Sequence, residues 1–306
     1  MEFAIPLVSP FSLDHTLDSG QVFRWRRTGE WWLGVVSGGA VKARQGGDML
    51  RCVTSSDRLD SAFFTSYFRL DEDLESVLGS ISKDKPITEA VEKFYGLRLV
   101  RQDRWECLAS FILATNANIP RIKKMVAEIS ARFGRAFEFE GETYYAFPTP
   151  GDLAEATISD LRSGGLGYRA PFLKSAATAV NNGQVDFEKV ASLPYEESRK
   201  LLLSELFGKK VLVGVGPKVA DCALLYSFGK DEAFPIDVWM TRVISDSYPR
   251  LLSKPLRARL RRDGRARLSA KEYETVSRSV RRHFGRNAGY AQQYLFMAAR
   301  EPGAGF

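Results

Sequence analysis

The chain has 306 residues, 44% hydrophobic and 26% charged, with a formal net charge of +7. That length suits one large domain or two smaller ones, and the basic balance favours an anionic partner. Three scattered cysteines (Cys52, Cys107, Cys222) and two histidines (His15, His283) argue against a disulfide framework, a cysteine zinc site and a histidine-based triad. No apolar run reaches the ~20 residues that span a bilayer, and "MEFAIPLVSPF" lacks the basic start of a signal peptide. The expectation is a soluble chain in a reducing, intracellular setting, with no metal and no cofactor.

In chain order, "EWWLGVV" (30–36), "AVKARQ" (40–45) and "MLRCVT" (49–54) read as short strands parted by the glycine turns "SGG" and "GGD". After Ser55 the spacing becomes helical and is expected to stay so. "DRWECLASFILAT" sets Trp105, Leu108, Phe111 and Ile112 on one face. "NIPRIKKMVAEISARFG" repeats the pattern and stops at Gly134. "YRAPFLKSAATAV", "YEESRKLLLSELFG", "KVADCALLYSFG", "DVWMTRVISDSY", "YETVSRSVRRHFG" and "NAGYAQQYLFMAARE" read as further helices. The expected fold class is α+β: a small N-terminal antiparallel β-sheet domain with flanking helices over 1–97, then helical domains over 98–306. Residues 250–271 are dense in arginine, with Asp263 the single acid, and read as a solvated helix face or loop, or as a patch contacting phosphates.

Between two of these helices stands "VLVGVGPKVADC". Gly214 and Gly216 allow a tight turn, and Pro217 suits a first helical position. The unpaired N–H groups at such a helix start, with the positive end of the dipole behind them, make a phosphate site without side chains. Lys218 falls in that first turn. A lysine there is ordinarily a solubilising charge; partly buried beside the dipole, its neutral, nucleophilic form is favoured. Nineteen residues on, Asp237 in "FPIDVWMTRV" either caps a helix or lends a carboxylate to a developing cation.

Together these elements resemble the helix-hairpin-helix superfamily of DNA glycosylases, and within it the 8-oxoguanine DNA glycosylase/AP lyase family. The similarity runs over roughly Ser12 to Arg300, with the hairpin near 195–229, "GVGPKVADC" and "PIDV" standing in order. It implies a bifunctional enzyme that excises 8-oxoguanine opposite cytosine from duplex DNA and cuts the abasic strand by β-elimination. Lys218 would attack C1′ and form a Schiff base, and Asp237 would stabilise the oxocarbenium-like transition state.

Cys222, one helical turn after Lys218, and Phe296 would stack the extruded base, and Gln292 would read its Watson–Crick edge. Gly20, in "DSGQVFRW", would accept N7–H of the lesion through its carbonyl, and Pro235 counts with the base pocket. Asn116 and Arg121 in "TNANIPRI", with Tyr168 and Arg169 in "GLGYRA", would contact the strand and the orphaned cytosine. Backbone around Gly214, Val215 and Gly216 would hold phosphates, with a monovalent cation on the hairpin carbonyls. The implied partner is double-stranded DNA carrying 8-oxoguanine or an abasic site, met by a monomer away from membranes.

Three departures stand out: Ala117 replaces the middle of three asparagines, Trp239 a usual histidine, and Ala299 a frequent acid. The last two put phosphate contact and the pocket's outer support in question. Two other readings stay open: a glycosylase for other oxidised or alkylated bases, and a non-catalytic helix-hairpin-helix DNA-binding protein.

Overall fold

In the strand Met49–Thr54, Leu50, Cys52 and Thr54 face inward while Arg51 faces solvent, the period-2 alternation of a sheet with one wet face. The computed structural model describes residues 1–206, 209–263 and 267–301. It sets β1 (Glu2–Pro6), β2 (Trp25–Thr28), β3 (Trp31–Val36), β4 (Gly39–Gly46) and β5 (Met49–Thr54) in one antiparallel sheet of order β1-β5-β4-β3-β2. The β3–β4 turn at Ser37 and Gly38 has both φ positive, at 47° and 78°, which matches the twist of a tight hairpin.

The three strands expected from sequence are present. The two outer ones were not expected, because β1 buries only Ile5 and β2 only Trp25, too little to make a period. Helices α1 (Leu13–Leu17) and α2 (Ser61–Tyr67) close the sheet's own apolar core, where the Trp25 indole N–H donates to Tyr67 Oη at 3.0 Å.

The helical part begins with α3 (Leu74–Ile81), α4 (Lys85–Lys93), α5 (Arg104–Leu113) and α6 (Ile119–Phe133). Leu74, Leu78, Ile81 and Ile87 bury into the helical core, not the sheet core. Helical spacing does not persist throughout, contrary to expectation. The hairpin β6 (Ala136–Phe139) and β7 (Glu142–Tyr145) interrupts it, turning at Glu140 and Gly141 with φ of 49° and 79°. Its alternation "FEFEGETYY" is a strand signal.

Next come α7 (Pro150–Glu155), α8 (Ile158–Leu161), α9 (Ala170–Asn181), α10 (Phe187–Ser192) and α11 (Tyr195–Leu202). The last was expected to run to Gly208. It ends at Leu202 because the Val211 N–H returns to Ser204 O at 3.1 Å, beside a short ladder between β8 (Glu205–Leu206) and β9 (Lys209–Lys210). The chain finishes with α12 (Pro217–Ser227), α13 (Val238–Ser247), α14 (Lys254–Asp263), α15 (Ala270–Phe284) and α16 (Ala288–Arg300). Part of the arginine-rich stretch, 264–266, lies outside the described residues. Among the described residues no helix is long and apolar enough to cross a membrane.

Two buried arginines tie the parts together. Arg69, after α2, pairs with Asp231, after α12, at 2.8 Å. Arg98 donates to Pro10 O at 3.0 Å and Glu72 O at 3.1 Å, satisfying carbonyls that would otherwise be stranded in the interior, and to the Ser9 hydroxyl at 2.7 Å.

Candidate active site

Helix α12 starts at the glycine turn. Gly214 has φ +85°, and a Cβ there would come within 2.6 Å of the Phe172 ring, so only glycine fits. Val215 and Leu212 are buried beneath the turn. No side chain caps α12, so its first N–H groups stay available, as an anion site requires. Val215 differs from the expectation: its N–H is committed to Leu212 O at 3.2 Å.

Three hairpin carbonyls already have partners. Leu212 O accepts from Val215, Gly216 O from Ala220 at 3.0 Å, and Val215 O from the Lys210 ammonium at 3.4 Å. An ammonium on that carbonyl does not fit a bound monovalent cation.

The first turn of α12 puts Lys218 on the wall of a cleft of about 850 Å³. Its Nζ lies 4.9 Å from the centroid of Phe111, on α5, which stacks on Tyr226 at 5.4 Å. One turn on, Cys222 is 3% exposed, and burial pushes its thiol up to about 12 against the pull of Lys218. This sulfur is an apolar surface rather than a thiolate nucleophile.

Asp237 faces the same cleft from the start of α13. It caps that helix as the sequence suggested, Oδ1 accepting the Met240 N–H at 2.9 Å, while its own carbonyl accepts the Thr241 N–H at 2.8 Å. The cap fixes the carboxylate and leaves Oδ2 free of that bond.

Gly20, Pro235, Gln292, Phe296, Asn116, Gly214 and Gly216 complete the part of the wall that the sequence anticipated. Gly20 has φ +81°, and an added Cβ would meet Ile119 Cδ1 at 2.8 Å and Phe296 Cε1 at 3.5 Å. Its loop is fixed from below: Gln293 Nε2 donates to Ser19 O at 2.9 Å, and Gln21 donates to Arg98 O at 2.9 Å. Gln292 is buried, with Oε1 3.4 Å from the Tyr226 hydroxyl.

Four anticipated residues are not on this wall: Val215, Arg121, Tyr168 and Arg169. Arg121 is exposed on the first turn of α6. Tyr168 is 49% exposed, its hydroxyl donating to Thr115 O at 3.0 Å and accepting from Asn116 Nδ2 at 3.1 Å. Arg169 is 3% exposed and turned inward, with Nε on Thr115 O at 2.9 Å and a second nitrogen on Asn116 O at 3.1 Å. Asn116 is held at φ +53°, an unusual conformation for a residue other than glycine.

The wall also holds residues the sequence reading did not name. Arg300 lies on the next turn after Phe296, its guanidinium 5.5 Å from that ring, with a bond to Asp18 O at 3.2 Å. Burial lowers its proton affinity, opposed by Asp18 and Asp237. Arg267 reaches in from the arginine-rich stretch and donates to Asn116 Oδ1. Tyr273 closes the wall behind Asp237. Trp239 is 41% exposed at the rim, under the Arg242 guanidinium at 5.4 Å, and Ala299 is buried in the helical core. Lys218, Arg267 and Arg300 against Asp237 make a cleft suited to a polyanion.

Known proteins share both halves. Residues 5–108 match the model for the 8-oxoguanine DNA glycosylase N-terminal domain, and residues 109–254 that for the HhH-GPD superfamily of base excision DNA repair proteins. A "Probable N-glycosylase/DNA lyase" of Methanothermobacter thermautotrophicus is 33% identical over 256 residues, 77% of this chain and 73% of that protein. The chain belongs to the 8-oxoguanine DNA glycosylase family of the HhH-GPD superfamily.

The N-glycosylase/DNA lyase OGG1 of Arabidopsis thaliana is 30% identical over 94% of this chain and 77% of its own length. The crystal structure of Clostridium acetobutylicum 8-oxoguanine glycosylase/lyase, with double-stranded DNA carrying cytosine opposite 8-oxoguanine, superposes with a TM-score of 0.85. It is 32% identical, covering 98% of this chain and 95% of that one. A 3-methyladenine DNA glycosylase from Archaeoglobus fulgidus, at 22% identity and TM-score 0.73, shares the fold. This family member is an N-glycosylase/DNA lyase of base excision repair.

Proposed function

We propose that the chain excises 8-oxoguanine paired with cytosine from duplex DNA, with Lys218 as the nucleophile. The neutral amine attacks C1′, the C1′–N9 bond breaks, and the base leaves with a proton. Loss of the ring oxygen from C1′ gives a Schiff base on Nζ. Removal of a C2′ proton then expels the 3′ phosphate by β-elimination. Asp237, its charge held in place by the α13 cap, offsets the positive charge that builds on the sugar as the base departs.

Cys222 and Phe296 receive the flipped base between them, Gln292 reads its Watson–Crick edge, and the Gly20 carbonyl accepts N7–H, which guanine lacks. Pro235 packs the pocket beside Asp237. Gly214 and Gly216 bring backbone close to a phosphate. Asn116, Arg121 and Tyr168 meet the strand, and Arg169 reaches the orphaned cytosine once DNA releases it from the Thr115 and Asn116 carbonyls. A cation shared with the phosphate would have to displace Lys210 from Val215 O. The chain acts as a monomer, and residues 1–97 form its N-terminal β-sheet domain with flanking helices, of which α3 and α4 pack into the helical core. The supporting observation is that Lys218, Cys222, Asp237, Gln292 and Phe296, up to 78 residues apart, line one cleft.

The test is an 8-oxoguanine:cytosine duplex with borohydride present. The intact protein gives a nicked strand and a covalent adduct, and Lys218→Gln gives neither. An intact protein that binds the duplex without adduct or nick would leave only a DNA-binding module. Equal excision opposite all four bases would count against Arg121 and Arg169.

A further inference from the structure

Asp221 lies three residues after Lys218 on α12, about 60° around the helix, and is sealed in the interior rather than on the cleft wall. It is fully buried, and its carboxylate accepts three bonds of 2.7 Å, from Tyr195 Oη, Arg199 Nε and Tyr273 Oη. Arg199 is itself clamped by Glu274, at 2.8 and 2.9 Å. A buried carboxylate so satisfied is rigid, because any movement would strand several polar groups at once.

The two phenols differ in one respect. Tyr195 Oη serves Asp221 and has no other partner among the described residues. Tyr273 Oη donates to Asp221 and also accepts the backbone N–H of Ile236 at 3.1 Å. A phenol has one proton to give and lone pairs to receive, so the two bonds are compatible. Ile236 immediately precedes Asp237 and is 5% exposed, so its N–H has no water to fall back on. A chain of bonds therefore runs from the helix carrying Lys218, through Asp221 and Tyr273, to the residue before Asp237.

We propose that Tyr273, anchored on Asp221, is a positioning residue that fixes the Asp237 carboxylate relative to Lys218. The α13 cap holds the Asp237 carboxylate, and the Tyr273 hydroxyl holds the N–H of Ile236 just before it. This inference rests on the catalytic reading of Lys218 and Asp237 above.

The experiment compares Tyr273→Phe with Tyr195→Phe. Each removes one hydroxyl from the same carboxylate, so both lower the melting temperature; only the first releases Ile236. Single-turnover excision on an 8-oxoguanine:cytosine duplex is measured together with duplex affinity. Borohydride adduct on an abasic duplex gives the active fraction, which corrects for any unfolded variant. The expected result is excision slowed about 10- to 100-fold by Tyr273→Phe at unchanged affinity, the cost of a small misplacement at the reacting centre. Tyr195→Phe should excise at the wild-type rate. Equal slowing by both variants, or wild-type excision by Tyr273→Phe, would overturn the proposal. Absence of excision and adduct in the wild type would instead overturn the reading it rests on.

Discussion

Two adjoining flanks of α12, a front that lines the cleft and a back sealed in the core, are built on opposite principles. On the front, Lys218 and Cys222 look into an open cleft, and Lys218 has an aromatic ring as its neighbour and no carboxylate within ion-pairing distance among the described residues. On the back, one residue before Cys222, Asp221 is sealed in and saturated with hydrogen bonds. The front holds groups whose valences are unspent, and the back holds groups that cannot move without breaking strong bonds. The nucleophile proposed above gains from being aimed without being locked in an ion pair, and the contrast across a single helix supplies both conditions.

The largest effect is expected on the back face. Asp221→Asn removes the charge that Arg199 is paired with and should cost about 3–5 kcal/mol, the penalty for breaking a buried pair from one side. Denaturant unfolding measures it; a loss near zero would mean the network is not the rigid side of the comparison. Next comes Asp237→Asn. Asparagine caps helices as well as aspartate does, so thermal stability should hold while excision falls about 100- to 1,000-fold through the lost negative charge. Excision surviving this change would remove Asp237 from the chemistry.

Phe296→Ala sharpens the front face further. It should weaken lesion-duplex binding by about 5- to 150-fold, equivalent to about 1–3 kcal/mol of stacking. Undamaged duplex should be bound almost as before, a difference readable in a competition titration.

The smallest effect lies away from α12, at the seam between sheet and helices. Burial pushes the Glu106 carboxyl up to about 7, in spite of Arg24 3.5 Å away. The folded protein then keeps a proton that the unfolded chain releases near pH 4.5, so stability falls as pH rises from about 4.5 to about 7. A fifth of the side chain is exposed, which reduces the effect to about 1–2 kcal/mol. Glu106→Gln should flatten that slope in melts at pH 5 and pH 7.5 and leave excision unchanged.

Much of the front face was legible in the sequence because its signals are local motifs that carry the family resemblance. Lys218 and Cys222 are one helical turn apart, as are Gln292 and Phe296, and the glycine turn announces the start of α12. The back face was not legible. Tyr273 meets Ile236 across 37 residues and Asp221 across 52, and nothing in the periodicity of α15 marks its hydroxyl. Arg169 and Val215 show the converse limit: "GLGYRA" and "GVG" led to the expectation of donors turned to DNA, yet the carbonyls of the Asn116 loop and of Leu212 claim those donors here. The outer strands escaped because each buries a single side chain, and the β6–β7 hairpin because helical spacing surrounds it.

In the proposed reaction one particular amine becomes bonded to the sugar. Borohydride reduction during turnover, followed by proteolysis and mass spectrometry of the cross-linked peptide, locates that bond. The deoxyribose remnant is expected on Lys218, in the peptide carrying the "GVGPK" turn. A remnant on any other amine of the chain would contradict that assignment.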